Sequence, residues 1–143
     1  MGRVTFKPYE IDYMNGADLG RLATVQRNGT PQASPVGFTY NAELGTIDIF
    51  GYNMANSQKY RNVAVNPKVA FVVDDIASRT PWRVRCLEIR GTAQQATAPR
   101  ATGAAGDALD AAIIRITPTR IISFGIDDTD TPPHELTPDI RDV

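Results

Sequence analysis

Apolar and polar residues alternate with a period of two over much of this chain, and a period near 3.6 shows in one short stretch only. Leu22 to Gln26 and Pro31 to Tyr40 read as two strands. Between them lies Arg27-Asn28-Gly29-Thr30, and Asn-Gly is a strong hairpin signal. On the second strand Gln32, Ser34, Val36, Phe38 and Tyr40 share one face, while Ala33, Pro35, Gly37 and Thr39 share the other. Pro35 has no N–H and Gly37 no side chain, so a bulge or interruption is expected there. Asn41 to Gly45 makes a second hairpin loop, followed by a strand over Thr46 to Gly51.

Tyr60, Val63 and Ala64 recur at helical spacing, which predicts a helix over Ser57 to Val65. Asn56 or Ser57 can cap its start, and Pro67 stops it. Val69 to Asp74 reads as a buried strand, Ile76 to Pro81 as a loop, and Trp82 to Ala96 as a long strand. Thr97 to Ala112 is rich in Ala and Gly and fits a loop or a short helix near Asp107 to Ala112. Ile113 to Ile126 gives one bent strand or a strand pair, broken at Thr117-Pro118-Thr119. Residues 1–18 form a lead-in with room for a short helix. Short strands joined by hairpins, with one crossover helix, favour a small antiparallel barrel over a sandwich. No regular βαβ alternation, G-x-G-x-x-G or Walker A motif is present, which argues against a Rossmann sheet.

Composition narrows the chemistry. The 143 residues amount to 15.6 kDa, the size of one domain. The expected organisation is a single domain over 1–143, with the barrel at 19–127 and an acidic, Pro-rich tail at 128–143. One cysteine, Cys86, and one histidine, His134, are too few for a structural zinc site. They also exclude a disulfide framework and leave little for acid–base catalysis by side chains. Cys86 reads as an inert core residue, His134 as a solvated tail residue, and Asp74-Asp75 as a solvated turn rather than a metal site. No catalytic side chain and no metal ligand is expected. If the chain is an enzyme, a bound cofactor carries the hard chemistry.

The net charge of -1 is unevenly spread. Residues 127–143 carry six acids and one base, a charge of -5, and the remainder carries +4. The tail reads as an extended segment, docked or loose. A mildly basic body suits an anionic small ligand better than a nucleic-acid duplex, whose binders show a clustered basic stripe. No apolar run reaches the roughly 20 residues of a membrane span, and the first residues lack a signal-peptide core, so cytoplasm is the expectation.

Three stretches invite a functional reading, and each has an ordinary alternative. Ser57, Lys59 and Arg61 at a helix start can form a phosphate pocket, or an ordinary capped helix with a solvated basic face. Gln32-Ala33-Ser34-Pro35-Val36-Gly37-Phe38 can present backbone groups to a planar heterocycle, or simply bend the barrel wall. Trp82 beside Arg83 can stack on an aromatic ligand or pack at an interface. Glu88 and Arg90 share a strand face and can pair.

Four segments, in order, then carry a resemblance. They are Leu22-Ala23-Thr24-Val25 with Asn28 to Val36; Ser57-Gln58-Lys59-Tyr60-Arg61-Asn62-Val63 with Asn66 to Ala70; Leu87 to Ala93; and Ile114 to Asp127. Together they resemble the pyridoxamine phosphate oxidase-like split-barrel superfamily, in its actinobacterial flavin/deazaflavin-dependent oxidoreductase branch. The resemblance covers about residues 19–127. It implies a mainly β fold, a six-stranded antiparallel split β-barrel of the FMN-binding kind with one or two short helices. It also implies a homodimer with FMN or the deazaflavin coenzyme F-420 in a groove at the interface. By matched position, Ser57, Gln58, Lys59 and Asn62 fall at the phosphate end of that cofactor. Ser34, Pro35 and Val36 run beside its ring, Gly51 and Tyr52 line the groove, and Trp82 approaches from the partner chain. Nothing matches the C-terminal Arg/His pattern of the vitamin-B6 oxidases, so pyridoxamine phosphate is not the expected substrate. The implied activity is hydride transfer between the cofactor and a small organic substrate. The alternative is a binding or sequestration protein on the same fold, and an oligonucleotide-binding barrel ranks third.

Overall fold

The computed structural model describes residues 5–98 and 111–143. Helix α1 (Pro8–Asn15) is followed by β1 (Gly20–Val25), β2 (Pro31–Asn41) and β3 (Thr46–Phe50). A 3-10 turn (Met54–Asn56) leads into helix α2 (Gln58–Val65), and then come β4 (Lys68–Arg79), β5 (Trp82–Thr97) and β6 (Ala112–Phe124). A second 3-10 turn (Pro133–Glu135) and β7 (Asp139–Asp142) complete the chain. All pairings are antiparallel in the order β3-β2-β1-β4-β5-β6-β7, and β3 also pairs with β6. That last pairing, Ile47–Ile49 against Ile114–Ile116, closes six strands into a barrel. Leu22, Ile47, Ile49, Phe71, Leu87, Ile89, Ile114, Ile116 and Ile121 fill it and are almost fully buried.

Both hairpins form as their turn residues dictate. Gly29 and Gly45 have φ of 89° and 70°, a region that costs glycine little. The Asn28 side chain accepts from the Thr30 N–H at 3.0 Å, and that of Asn41 from the Leu44 N–H at 3.0 Å. Helix α2 starts at the Ser57 cap, whose Oγ accepts from the Tyr60 N–H at 3.3 Å, and it stops before Pro67. Helix α1 occupies the lead-in, with Pro8 in its first turn.

Four expectations need correction. The sheet has seven strands, not six. β3 covers the edge of β6 only near Ile116, and β7 of the tail takes the next stretch, Arg120–Ser123. The tail is therefore docked. Arg141 of β7 pairs with Glu10 of α1, which is fully buried. Next, residues 76–79 are not a loop, because β4 runs to Arg79 and Ile76 and Ser78 pair with Val84 and Arg83 across a bulge. Asp74-Asp75 accordingly lie in a strand rather than a turn.

Third, Thr117-Pro118-Thr119 do not break β6. The register of β5 against β6 shifts between Arg90 and Gly91, and the bulge absorbs the missing proline donor. A Cβ on Gly91 would stand 2.2 Å from the Thr117 carbonyl oxygen, so only glycine admits this crossing. Finally, Cys86 is half-buried on the outer face of β5 rather than in the core, since Leu87 and Ile89 take the inward positions. Partial burial pushes its thiol pKa up, which keeps it protonated and unreactive. The short helix expected near Asp107 lies outside the described residues, apart from Ala112, which opens β6.

Candidate functional site

β2 has two different halves. Gly37 to Asn41 pair with β3, whereas Pro31 to Val36 pair with β1 alone. The second edge of that first half carries no strand. Pro31 and Pro35, which have no N–H to give, suit such an edge. Helix α2 is tied to β2 by one side-chain hydrogen bond among the described residues. Asn62 of α2 is 2% exposed and donates from Nδ2 to Gln32 Oε1 and to Thr24 Oγ1, both at 2.9 Å. The helix that begins at Ser57 is thereby held beside the strand that carries Ser34, Pro35 and Val36.

The expected phosphate residues are arranged around the start of α2. Ser57 Oγ caps the helix and donates to the Met54 carbonyl at 2.7 Å. Lys59 is half-buried and has no ion pair among the described residues. Arg61 is spoken for differently. It donates to the Asn56 carbonyl at 2.8 Å and to Gln58 Oε1 at 2.9 Å, bracing the helix start. Gln58 donates to Asn62 Oδ1 at 2.7 Å. Asn62 is thus fully occupied within the protein and works by fixing α2. Lys59 thus stands without an ion pair, among the described residues, in the first turn of a Ser57-capped helix.

Gly51 follows β3, where a Cβ would sit 3.7 Å from the Met54 methyl, and Tyr52 next to it is 65% exposed. Trp82 stands 55% exposed where β5 begins, at the tip of the β4–β5 hairpin, well away in the chain from the other residues. Its neighbour Arg83 donates to the backbone carbonyls of Thr131 at 2.9 Å and Asp128 at 3.2 Å, so the tail fixes this tip. Glu88 and Arg90 pair at 2.7 Å. Gln32 belongs to the stretch singled out in the sequence for its backbone, but nothing along the chain pointed to its side chain, which meets Asn62 only in the fold.

A cavity of about 500 Å³ lies at the Gly20–Arg21 end of β1, between α1 and β4. Tyr13, Arg21, Asp74, Asp75 and Arg85 line it, and none of the expected cofactor residues does. Tyr13 donates to Asp75 Oδ1 at 2.8 Å, and Arg85 grips the same carboxylate at 2.8 and 2.5 Å. The Arg85 bonds hold the Asp75 carboxyl below its ordinary pKa. Burial, with the bond to Asp75, pushes the Tyr13 hydroxyl far up, so this cluster is a satisfied ion-pair network at neutral pH. Of the expected residues, Ser34, Pro35 and Val36 lie instead on the half of β2 with a free edge, and Ser57, Gln58 and Lys59 at the start of α2. No group of metal-ligating side chains occurs among the described residues, and no described helix is long and apolar enough to cross a membrane.

The fold is thus a closed antiparallel barrel with one free stretch of strand edge on β2 and a Ser57-capped helix start that carries Lys59. Residues 10–126 match the family described as pyridoxamine 5'-phosphate oxidase, and the chain belongs to that family. It is similar to the 5a,11a-dehydrotetracycline/5a,11a-dehydrooxytetracycline reductase of Streptomyces rimosus subsp. rimosus, at 45% identity over 124 residues, covering 85% of this chain and 84% of that one. A solved structure described as an F420 reductase is 26% identical, with a TM-score of 0.59 over 82% of this chain and 98% of that one. The conserved hypothetical protein Rv2991 from Mycobacterium tuberculosis shares the fold, with a TM-score of 0.69 at 20% identity, covering 92% of this chain and 94% of that one.

Proposed function

We propose that this chain is a reductase that binds FMN or the deazaflavin coenzyme F-420 and passes a hydride to a small conjugated carbonyl compound. The observation that carries the reading is the unpaired edge of β2 at Pro31–Val36, with the Ser57-capped helix α2 held to that strand by the Asn62–Gln32 bond. Lys59 and the Ser57-capped helix start fit the cofactor's phosphate, with Gln58 at the same end and Asn62 holding the helix in place. Ser34, Pro35 and Val36 fit one side of a flat ring through their backbone, and Gly51 and Tyr52 border the space between. When bound and reduced, such a cofactor supplies a hydride. The substrate's conjugated double bond takes that hydride on one carbon and a proton from solvent on the other. This division of labour suits a chain with so few acid–base side chains. The reductase of Streptomyces rimosus, named for dehydrotetracyclines, supports a conjugated polycyclic ketone as the substrate class.

The functional unit in this reading is a cytoplasmic homodimer. Ala33, Ala23 and Ala70 line up across β2, β1 and β4, with Pro35 and Val72 beside them. These small and apolar side chains lie on the outward face of the sheet, exposed or half-buried, with exposed Arg21 between Pro35 and Val72. A second copy seated there would bring its Trp82 to the cofactor. The test is a steady-state assay of reduced FMN and reduced F-420 against conjugated cyclic ketones and quinones. Turnover that requires both cofactor and acceptor is expected. Tight cofactor binding without turnover on the whole panel would leave a sequestration protein instead.

A further inference from the structure

Four side chains form a hydrogen-bond chain whose polarity is fixed at one end. Arg61 has no acceptor atom, so the group it meets on Gln58 at 2.9 Å must be the carbonyl oxygen Oε1. Gln58 then turns its Nε2 to Asn62, which accepts on Oδ1 at 2.7 Å. Asn62 in turn has only Nδ2 left to give, and it donates to Gln32 Oε1 and to Thr24 Oγ1. Each amide in the series is therefore oriented by the guanidinium of Arg61. The series ends at Gln32 Nε2, which keeps two N–H groups with no acceptor among the described residues. Bonds in such a series polarise one another, and a cation at the head strengthens the donor at the tail.

The position of that donor gives it a use. Gln32 sits on the half of β2 with the unpaired edge, two residues before Ser34 and on the same strand face. It also touches α2 through Asn62. It therefore stands between the residues proposed for the phosphate and those proposed for the ring.

We propose that Gln32 reads the bound cofactor, donating from Nε2 to an oxygen of the polyol–phosphate arm that joins ring to phosphate. Arg61, Gln58 and Asn62 are positioning residues that hold its amide the right way round. The inference rests on the cofactor reading above and adds a residue to it. Replacing the amide by a carboxylate in Gln32→Glu keeps an acceptor for Asn62 and exchanges the free donor for a negative oxygen.

The experiment is a fluorescence-quenching titration of the full chain with FMN and with F-420, for the unaltered protein and for Gln32→Glu. At least about tenfold weaker binding of both is expected, with a melting temperature within about 2 °C of the original. Asn62→Asp, which can only accept from Gln32 and so turns its amide around, should weaken binding in the same direction. In the unaltered chain the side-chain amide proton resonances of Gln32 should move as FMN is added, a readout that does not depend on any variant folding. Resonances unmoved at saturating FMN, or Gln32→Glu binding within about twofold of the original, would overturn the inference while the cofactor reading stands. Failure of the unaltered chain to bind either compound would remove both.

Discussion

Replacing Asn62 by alanine removes the side-chain hydrogen bonds that, among the described residues, tie α2 to the β1–β2 hairpin. Asn62 is 2% exposed and makes three side-chain hydrogen bonds, to Gln58, Gln32 and Thr24. Gln58 is exposed and would exchange its bond for water at little cost. Gln32 is half-buried and would lose part of its bond energy. Thr24 is 1% exposed, so its oxygen would lose a buried donor. At about 1 kcal/mol per buried bond, with a further 1–2 kcal/mol for the stranded polar group, the loss comes to about 2–4 kcal/mol. A chain of this size shifts by roughly 3 °C per kcal/mol, so the melting temperature should fall by about 6–12 °C in a thermal scan by circular dichroism. A fall of less than about 2 °C would mean that α2 is held by its apolar face alone. The role given to the Asn62 contact would then be wrong.

Other perturbations test other joints of the fold. Arg141→Ala strands the fully buried Glu10 carboxylate and should cost about 3–5 kcal/mol, read as a lower denaturation midpoint in urea. Acid should destabilise the barrel seam. Burial favours protonation of Asp48, but hydrogen bonds from Arg115, Asn41 and Thr46 outweigh it and hold the carboxyl below its ordinary 3.8. Its contribution is therefore complete above about pH 4 and is lost as pH falls through its folded value, and Asp48→Asn should flatten the stability profile in that range. Trp82→Ala, at an exposed position, should leave the melting temperature within about 2 °C while raising KM for the carbonyl substrate in the steady-state assay. Gly91→Ala should prevent soluble expression or lower the melting temperature sharply, because its Cβ would meet the Thr117 carbonyl oxygen at 2.2 Å.

Much of this was legible from local pattern. Asn28-Gly29 and Asn41 to Gly45 specify their turns through short-range chemistry, and Ser57 and Pro67 bracket α2 in the same way. Alternation in β5 separates Leu87 and Ile89 from Glu88 and Arg90. The misreadings come where a distant partner decides. Ile76 to Arg79 look like a loop until β5 supplies their ladder. Thr117-Pro118 look like a break until Gly91 makes room opposite them. The four residues of β7 are too few and too polar for periodicity to find, and they form a strand because β6 offers a vacant edge and Glu10 offers Arg141 a buried partner. The candidate site follows the same rule. Lys59 and Ser57 stand out along the chain, whereas Gln32 gains a role only when α2 folds back and sets Asn62 against it.

The central claim is that the start of α2 and the free edge of β2 hold a phosphate-bearing flavin or deazaflavin. It is tested most directly by titrating the purified chain with FMN and with F-420, alongside Lys59→Ala. Lys59 has no ion pair among the described residues, so its removal costs the fold little and costs a bound phosphate a charge-assisted bond of about 1.5–3 kcal/mol. The account predicts micromolar binding of at least one of the two compounds and binding weaker by roughly tenfold or more in the variant. Equal affinity in the two proteins, or no binding of either compound by the unaltered chain, would contradict it.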